Sequence, residues 1–112
     1  MLASEVVRLN VGGAHFETLR STLSSPQAAQ SRFETMLDGT QAWARQTIDG
    51  AYFIDRDPRH FRHILNYLRA TFQPGSIAGR QSLLELKQEA EWFGLLPMAQ
   101  EIDQVLFGLE AE

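Results

Sequence analysis

Cysteine is absent from the chain. That excludes disulfides, thiol nucleophiles, thiolate zinc sites and cysteine-ligated iron–sulfur clusters. Lysine is nearly absent too. Lys87 is the single lysine, so nine of the ten cationic side chains are arginines, whose rigid fork suits oriented salt bridges and interfaces. Positive charge is in deficit overall, with a net charge of -4, which argues against a general nucleic-acid binder. No apolar run approaches the roughly 20 residues that span a bilayer. The opening MLASEVVRLNVGG places Glu5 and Arg8 where a secretory signal needs an apolar stretch. These absences predict a cytoplasmic protein without direct membrane insertion, or a piece of a longer one. What is present is ordinary: 112 residues, 44% hydrophobic and 21% charged, the make-up of one folded domain.

Val7, Leu9 and Val11 alternate with Arg8 and Asn10, the period of a half-buried strand. Gly12-Gly13 breaks the run before a second alternation from Ala14 to Leu19, which predicts a hairpin. Residues 24–30 are polar and interrupted by Pro26. Ser31 and Glu34 have the spacing of a capping box, opening a short helix that Gly39 is expected to close. Asp49-Gly50 predicts another hairpin turn, with a weak strand before it and Tyr52-Phe53-Ile54 as a buried strand after it. Asp57-Pro58 reads as an N-cap followed by proline at the first helical position. Phe61, Ile64, Leu65 and Leu68 then form one apolar stripe. Ser82 with Glu85 predicts a further capping box, Gly94 a stop, and Pro97 a last helix with Met98, Ile102, Val105, Leu106 and Leu109 on one side. Two strands, a helix, two strands and three helices make one α+β domain, with a small, partly antiparallel sheet against a helical cluster.

Little of this carries chemistry. His15, His60 and His63 are the only histidines. His60 and His63 share roughly one helix face but have no third ligand nearby, so no metal site is expected. Asp55 and Asp57 read as turn and cap groups, with Asp55 or Arg56 as alternative interface contributors. No nucleophile elbow or phosphate loop occurs. The expectation is a non-enzymatic chain without cofactor or metal. Arg59 and Arg62 lie opposite the apolar stripe and are candidates for a partner surface. Trp43, in a polar segment, is either a lid on the core or an interface anchor.

The run Val7-Arg8-Leu9-Asn10-Val11-Gly12-Gly13, with Phe16-Glu17-Thr18 and Thr22-Leu23, resembles the opening of the potassium-channel tetramerisation-type BTB/POZ domain. The resemblance continues through Ser31, Phe33, Met36 and Gly39, and is strongest at Gly50-Ala51-Tyr52-Phe53-Ile54-Asp55-Arg56-Asp57 and Phe61 to Arg69. Glu89-Ala90-Glu91-Trp92-Phe93 resembles the family's late helix. The resemblance implies a BTB/POZ domain over residues 6–107, flanked by 1–5 and 108–112. It implies self-assembly, with a pentameric ring favoured over a tetramer, as in KCTD-like proteins. Cullin-3 is an implied partner, in the role of a ubiquitin-ligase adaptor. The alternatives are subunit assembly in a potassium channel and a scaffold that does not bind cullin-3. Asn10, Asp55, Arg56 and Arg69 become the oligomer-interface candidates, and Gly12, Gly13, Tyr52, Phe53 and Ile54 the fold-determining turn and strand. Three departures from the family pattern stand out. The missing cysteines remove the usual intersubunit zinc site. The segment 24–30 is about two residues longer than usual, and residues 72–79 replace the common G-x-L-x-L-P segment. Both altered loops bear on cullin-3 binding.

Overall fold

The structure is a computed structural model that describes residues 5–38 and 43–111. Strand β1 (Val6–Val11) turns at Gly12-Gly13 into β2 (Ala14–Leu19). Both glycines have positive φ, 56° and 103°, as a two-residue hairpin turn requires. The two strands pair in register from Val6↔Leu19 to Val11↔Ala14. Helix α1 (Arg20–Leu23) follows without a break, and a single 3-10 turn (Pro26–Ala28) precedes α2 (Arg32–Met36). Strand β3 (Arg45–Gln46) pairs antiparallel with β4 (Tyr52–Ile54), and β4 lies parallel to β1. The sheet order is therefore β2-β1-β4-β3, with β2 at one edge. Helices α3 (Phe61–Leu68), α4 (Arg80–Trp92) and α5 (Leu96–Ala111) complete the fold. The expected α+β architecture is present.

The core forms where the two apolar periods meet. Val7, Leu9 and Val11 point inward from β1 and share one buried cluster with Phe61, Ile64 and Leu65 of α3. Phe33 stacks on Phe93, centroids 4.9 Å apart and planes 14° apart, which ties α2 to the end of α4. Burying each such side chain is worth roughly 1.5–3 kcal/mol before ordering costs.

Helix ends differ from expectation in instructive ways. Asp57 does cap, but its Oδ1 accepts the Arg59 N–H at 2.9 Å, and Phe61 N–H donates to the Pro58 carbonyl at 3.0 Å. Asp57-Pro58 thus closes a lead-in turn, and α3 begins at Phe61 behind an N-cap at His60. The Ser82–Glu85 capping box is not formed. Gly79, at φ +91°, admits α4 three residues earlier, and Glu85 turns toward α3. At Ser31 the hydroxyl caps as expected, accepting from Phe33 N–H at 3.2 Å, whereas Glu34 accepts from Gln30 N–H. The expected stop at Gly39 lies outside the described residues. Gly94 closes α4 with two bonds, Leu95 N–H to the Ala90 carbonyl and Gly94 N–H to that of Glu91. Leu109 is not on the core side of α5; it is 48% exposed, and Leu106 is the last buried residue of that helix among those described.

Candidate association surface

Strand alternation sorts the outer sheet face. Val6, Arg8 and Asn10 point away from the core, opposite Leu19, Glu17 and His15 on β2. Val6 and Leu19 are cross-strand partners and stay 57% and 41% exposed, an apolar pair that the fold leaves in water. Together with Glu17, Thr18, Thr22 and Arg69 they line a groove of about 480 Å³ at the sheet edge.

Hydrogen-bond parity identifies the free backbone there. Arg20 N–H donates to the Glu5 carbonyl at 2.8 Å, so the even-numbered residues of β2 bond to β1. The N–H and C=O groups of His15 and Glu17 therefore face away from the sheet. One of them already has a visitor: Arg69 Nη2 lies 3.4 Å from the Glu17 carbonyl oxygen. The other Arg69 contact is Asn66 Oδ1 at 3.5 Å. Both are long, neutral acceptors, and among the described residues no carboxylate pairs with Arg69. Two polar atoms next to the groove, Thr18 Oγ1 and Arg20 Nε, are buried without a hydrogen-bond partner among the described residues. Orphaned buried polar atoms are rare in a finished fold.

The other arginine candidate sits in the opposite condition. Arg56 grips Glu89 of α4 through Nε at 3.2 Å and Nη2 at 2.6 Å. Its guanidinium lies 4.7 Å from the Trp92 ring centroid, and that of Arg32 lies 4.1 Å from the same centroid. Trp43 packs edge-on against Phe33, Trp92 and Phe93. Its indole is half-buried against the core, and its Nε1 is buried without a partner among the described residues. The Arg56 carbonyl closes on the hairpin so tightly that a Cβ on Gly12 would sit 2.4 Å from that oxygen.

The remaining candidates scatter. Asn10 Oδ1 accepts from Gly13 N–H at 2.9 Å and so serves the hairpin turn. Asp55 is exposed just beyond β4, so Asn10, Asp55 and Arg56 gather at one end of β1 and β4 while Arg69 lies at the β2 edge. Ile54 is buried and Tyr52 half-buried, whereas Phe53 faces outward, opposite Arg45. Arg59 and Arg62 are exposed, with Arg59 Nη1 3.5 Å from Glu85 Oε1. His60 Nε2 lies 2.9 Å from that same carboxylate oxygen. The hydrogen bond to His60, then that from Gln81, holds the Glu85 carboxyl below its ordinary value. Burial, then the charges of Arg62 and His60, holds the His63 imidazole below its own. Among the described residues no three such side chains are grouped to hold a metal ion, and no helix is long and apolar enough to cross a membrane. Val6, Thr18, Leu19 and Thr22 were not among the sequence candidates. The available signal was Val6, an apolar residue in the outward phase of β1.

A short mixed sheet with a β2 edge, a parallel β1–β4 pair and helices against one face is the BTB/POZ fold. A BTB/POZ domain model matches residues 7–102, and the chain belongs to that family of protein-interaction domains. Among curated proteins it is 40% identical over 93 residues to FH protein interacting protein FIP2 of Arabidopsis thaliana, covering 83% of this chain and 30% of that protein. It is 39% identical over 100 residues to the human BTB/POZ domain-containing protein KCTD3, covering 89% and 12%. It is 40% identical over 99 residues to SH3KBP1-binding protein 1 of Mus musculus, covering 88% and 13%. The chain thus spans less than a third of the length of each of these relatives.

Proposed function

We propose that this chain is the homo-oligomerising module of a KCTD-like protein, acting in the cytoplasm as a scaffold without catalysis. Copies associate through the groove between the β2 edge and the end of α3. The observation that supports this is the unfinished chemistry of that corner: an exposed Val6–Leu19 pair and, among the described residues, a guanidinium with no carboxylate and two orphaned polar atoms. A neighbouring protomer that brings an apolar side chain and a carboxylate covers the Val6–Leu19 pair and gives Arg69 its counter-charge. Isologous contacts would stop at a dimer, so a ring requires a second, different patch to enter the groove. The exposed Asp55, on the far side of β1, offers the carboxylate.

Native mass spectrometry or light scattering of the purified chain tests the reading. A pentamer supports the KCTD-like ring, a tetramer favours channel-type assembly, and a monomer at tens of micromolar overturns self-association. Cullin-3 recruitment rests on the family resemblance, and two of the relatives are themselves named for protein binding. A pull-down with the cullin-3 N-terminal region decides it; absence of binding leaves a scaffold for other partners.

A further inference from the structure

The segment between α1 and α2 takes no part in the groove, yet one of its side chains is tied to the residue that precedes Arg69. Ser25 precedes Pro26, and the proline ring restricts it to extended backbone, observed at φ -66° and ψ 164°. Ser24 and Pro26 on either side are exposed, and Ser25 itself is half-buried. The Ser25 hydroxyl donates to the Leu68 carbonyl at 3.0 Å. That carbonyl ends α3, where the helix dipole is negative, and the next residue is Arg69, whose guanidinium lines the association groove.

We propose that Ser25 is a phosphorylation site for a proline-directed protein kinase, and that its phosphate loosens the end of α3 and opposes self-association. A serine followed directly by proline, in extended backbone with exposed neighbours, has the form such kinases bind. The transfer is ordinary phosphoryl chemistry. The Ser25 oxygen forms a bond to the γ-phosphorus of ATP, the bond to the β–γ bridging oxygen breaks, the hydroxyl proton passes to the kinase's base, and ADP leaves. The product has no proton to donate. It sets a group of about two negative charges against the Leu68 carbonyl at the negative end of α3, which disrupts the tether. The formal cation adjoining that carbonyl is Arg69, and a phosphate that engages its guanidinium draws it from the Glu17 carbonyl and from the groove. The effect on assembly rests on the association reading above; the modification itself does not.

The experiment incubates the purified chain, its Ser25→Ala variant and its Pro26→Ala variant with a mitogen-activated protein kinase and magnesium ATP. Sites are mapped by peptide mass spectrometry, the unfolding midpoint is recorded, and assembly is followed by native mass spectrometry. The expected result is one phosphate on Ser25, lost in both variants. A lowered midpoint should accompany it, with a rise of about tenfold in the concentration for half-assembly. A kinase that modifies the isolated 20–32 peptide at Ser25 but not the folded chain overturns the site. Phosphorylated chain with unchanged midpoint and unchanged assembly overturns the switch. If the unmodified chain is monomeric, the association reading falls, and mapping with the midpoint still judges the phosphosite.

Discussion

Two arginines at opposite ends of the sheet have opposite histories. Arg56 is saturated from within: a bidentate carboxylate, an aromatic face, and a carbonyl wedged against the hairpin. Arg69 makes two long contacts to neutral oxygens beside exposed apolar side chains and orphaned polar atoms. Both belong to sequence motifs of the family resemblance, so motif membership alone does not separate a group that holds the chain together from one that awaits another chain. On the association proposed above, the completeness of its hydrogen bonding does.

The largest expected effect breaks the closed corner. Gly12→Ala places a Cβ against the Arg56 carbonyl oxygen at a positive φ, and neither backbone can move without disturbing the hairpin or the Arg56–Glu89 grip. The expected cost is about 3 kcal/mol in denaturant unfolding. Gly13→Ala is the control: it also has positive φ but meets nothing within 4 Å, so its cost reflects backbone strain alone and should be about half as large.

Next comes the charge itself. Arg56→Met leaves Glu89, whose side chain is 15% exposed, without its cation, and should lose about 2 kcal/mol of stability. The folded fraction should associate as the parent does. Loss of assembly at full stability would place Arg56 at the interface, where sequence reasoning first put it. Arg69→Glu should behave the other way round. Its unfolding free energy should stay within about 0.5 kcal/mol of the parent, since only long exposed contacts are lost. Half-assembly should need about tenfold more protein in light scattering. Unchanged assembly would remove the groove from the association surface.

The contrast between the corners was only partly legible in the sequence, for a physical reason. Hairpins, the β1 alternation and the Phe61 stripe are short-range patterns, carried by residues two to seven apart, and the fold class follows from them. Helix starts were less secure because their polar groups had competitors at long range. Glu85 had the spacing to cap at Ser82, but His60, 25 residues away, holds its carboxylate. The two arginines differ through partners still further off: Glu89 is 33 residues from Arg56, and Glu17 is 52 residues from Arg69. No local spacing encodes which of them meets a carboxylate. Val6 and Leu19 become a patch only through the β1–β2 register and the landing of α3 beside it.

The smallest effect is a pH dependence that belongs to the closed side of the molecule. His63 stacks on His60, with centroids 6.4 Å apart, and lies edge-on to Phe72. Arg62 adds a like charge, while the Glu85 carboxylate holds both His60 and Arg59. Burial first, then Arg62, then His60, depresses the His63 imidazole below its ordinary 6.5. A histidine depressed in the fold binds its proton more readily when unfolded. Its contribution is therefore complete above the unfolded value and is lost as pH falls through 6.5 toward the folded one. Glu85 is also depressed, but from 4.5, so its contribution persists until lower pH and fades as pH drops through that carboxylate range. His63→Gln should flatten the upper step of a stability–pH profile measured by urea unfolding and leave the lower one intact. Because neither group touches the β2 groove, the same substitution should leave the assembly concentration at pH 7 unchanged. A shift in assembly with no change in the profile would couple the two corners, contrary to the separation drawn from their hydrogen bonding.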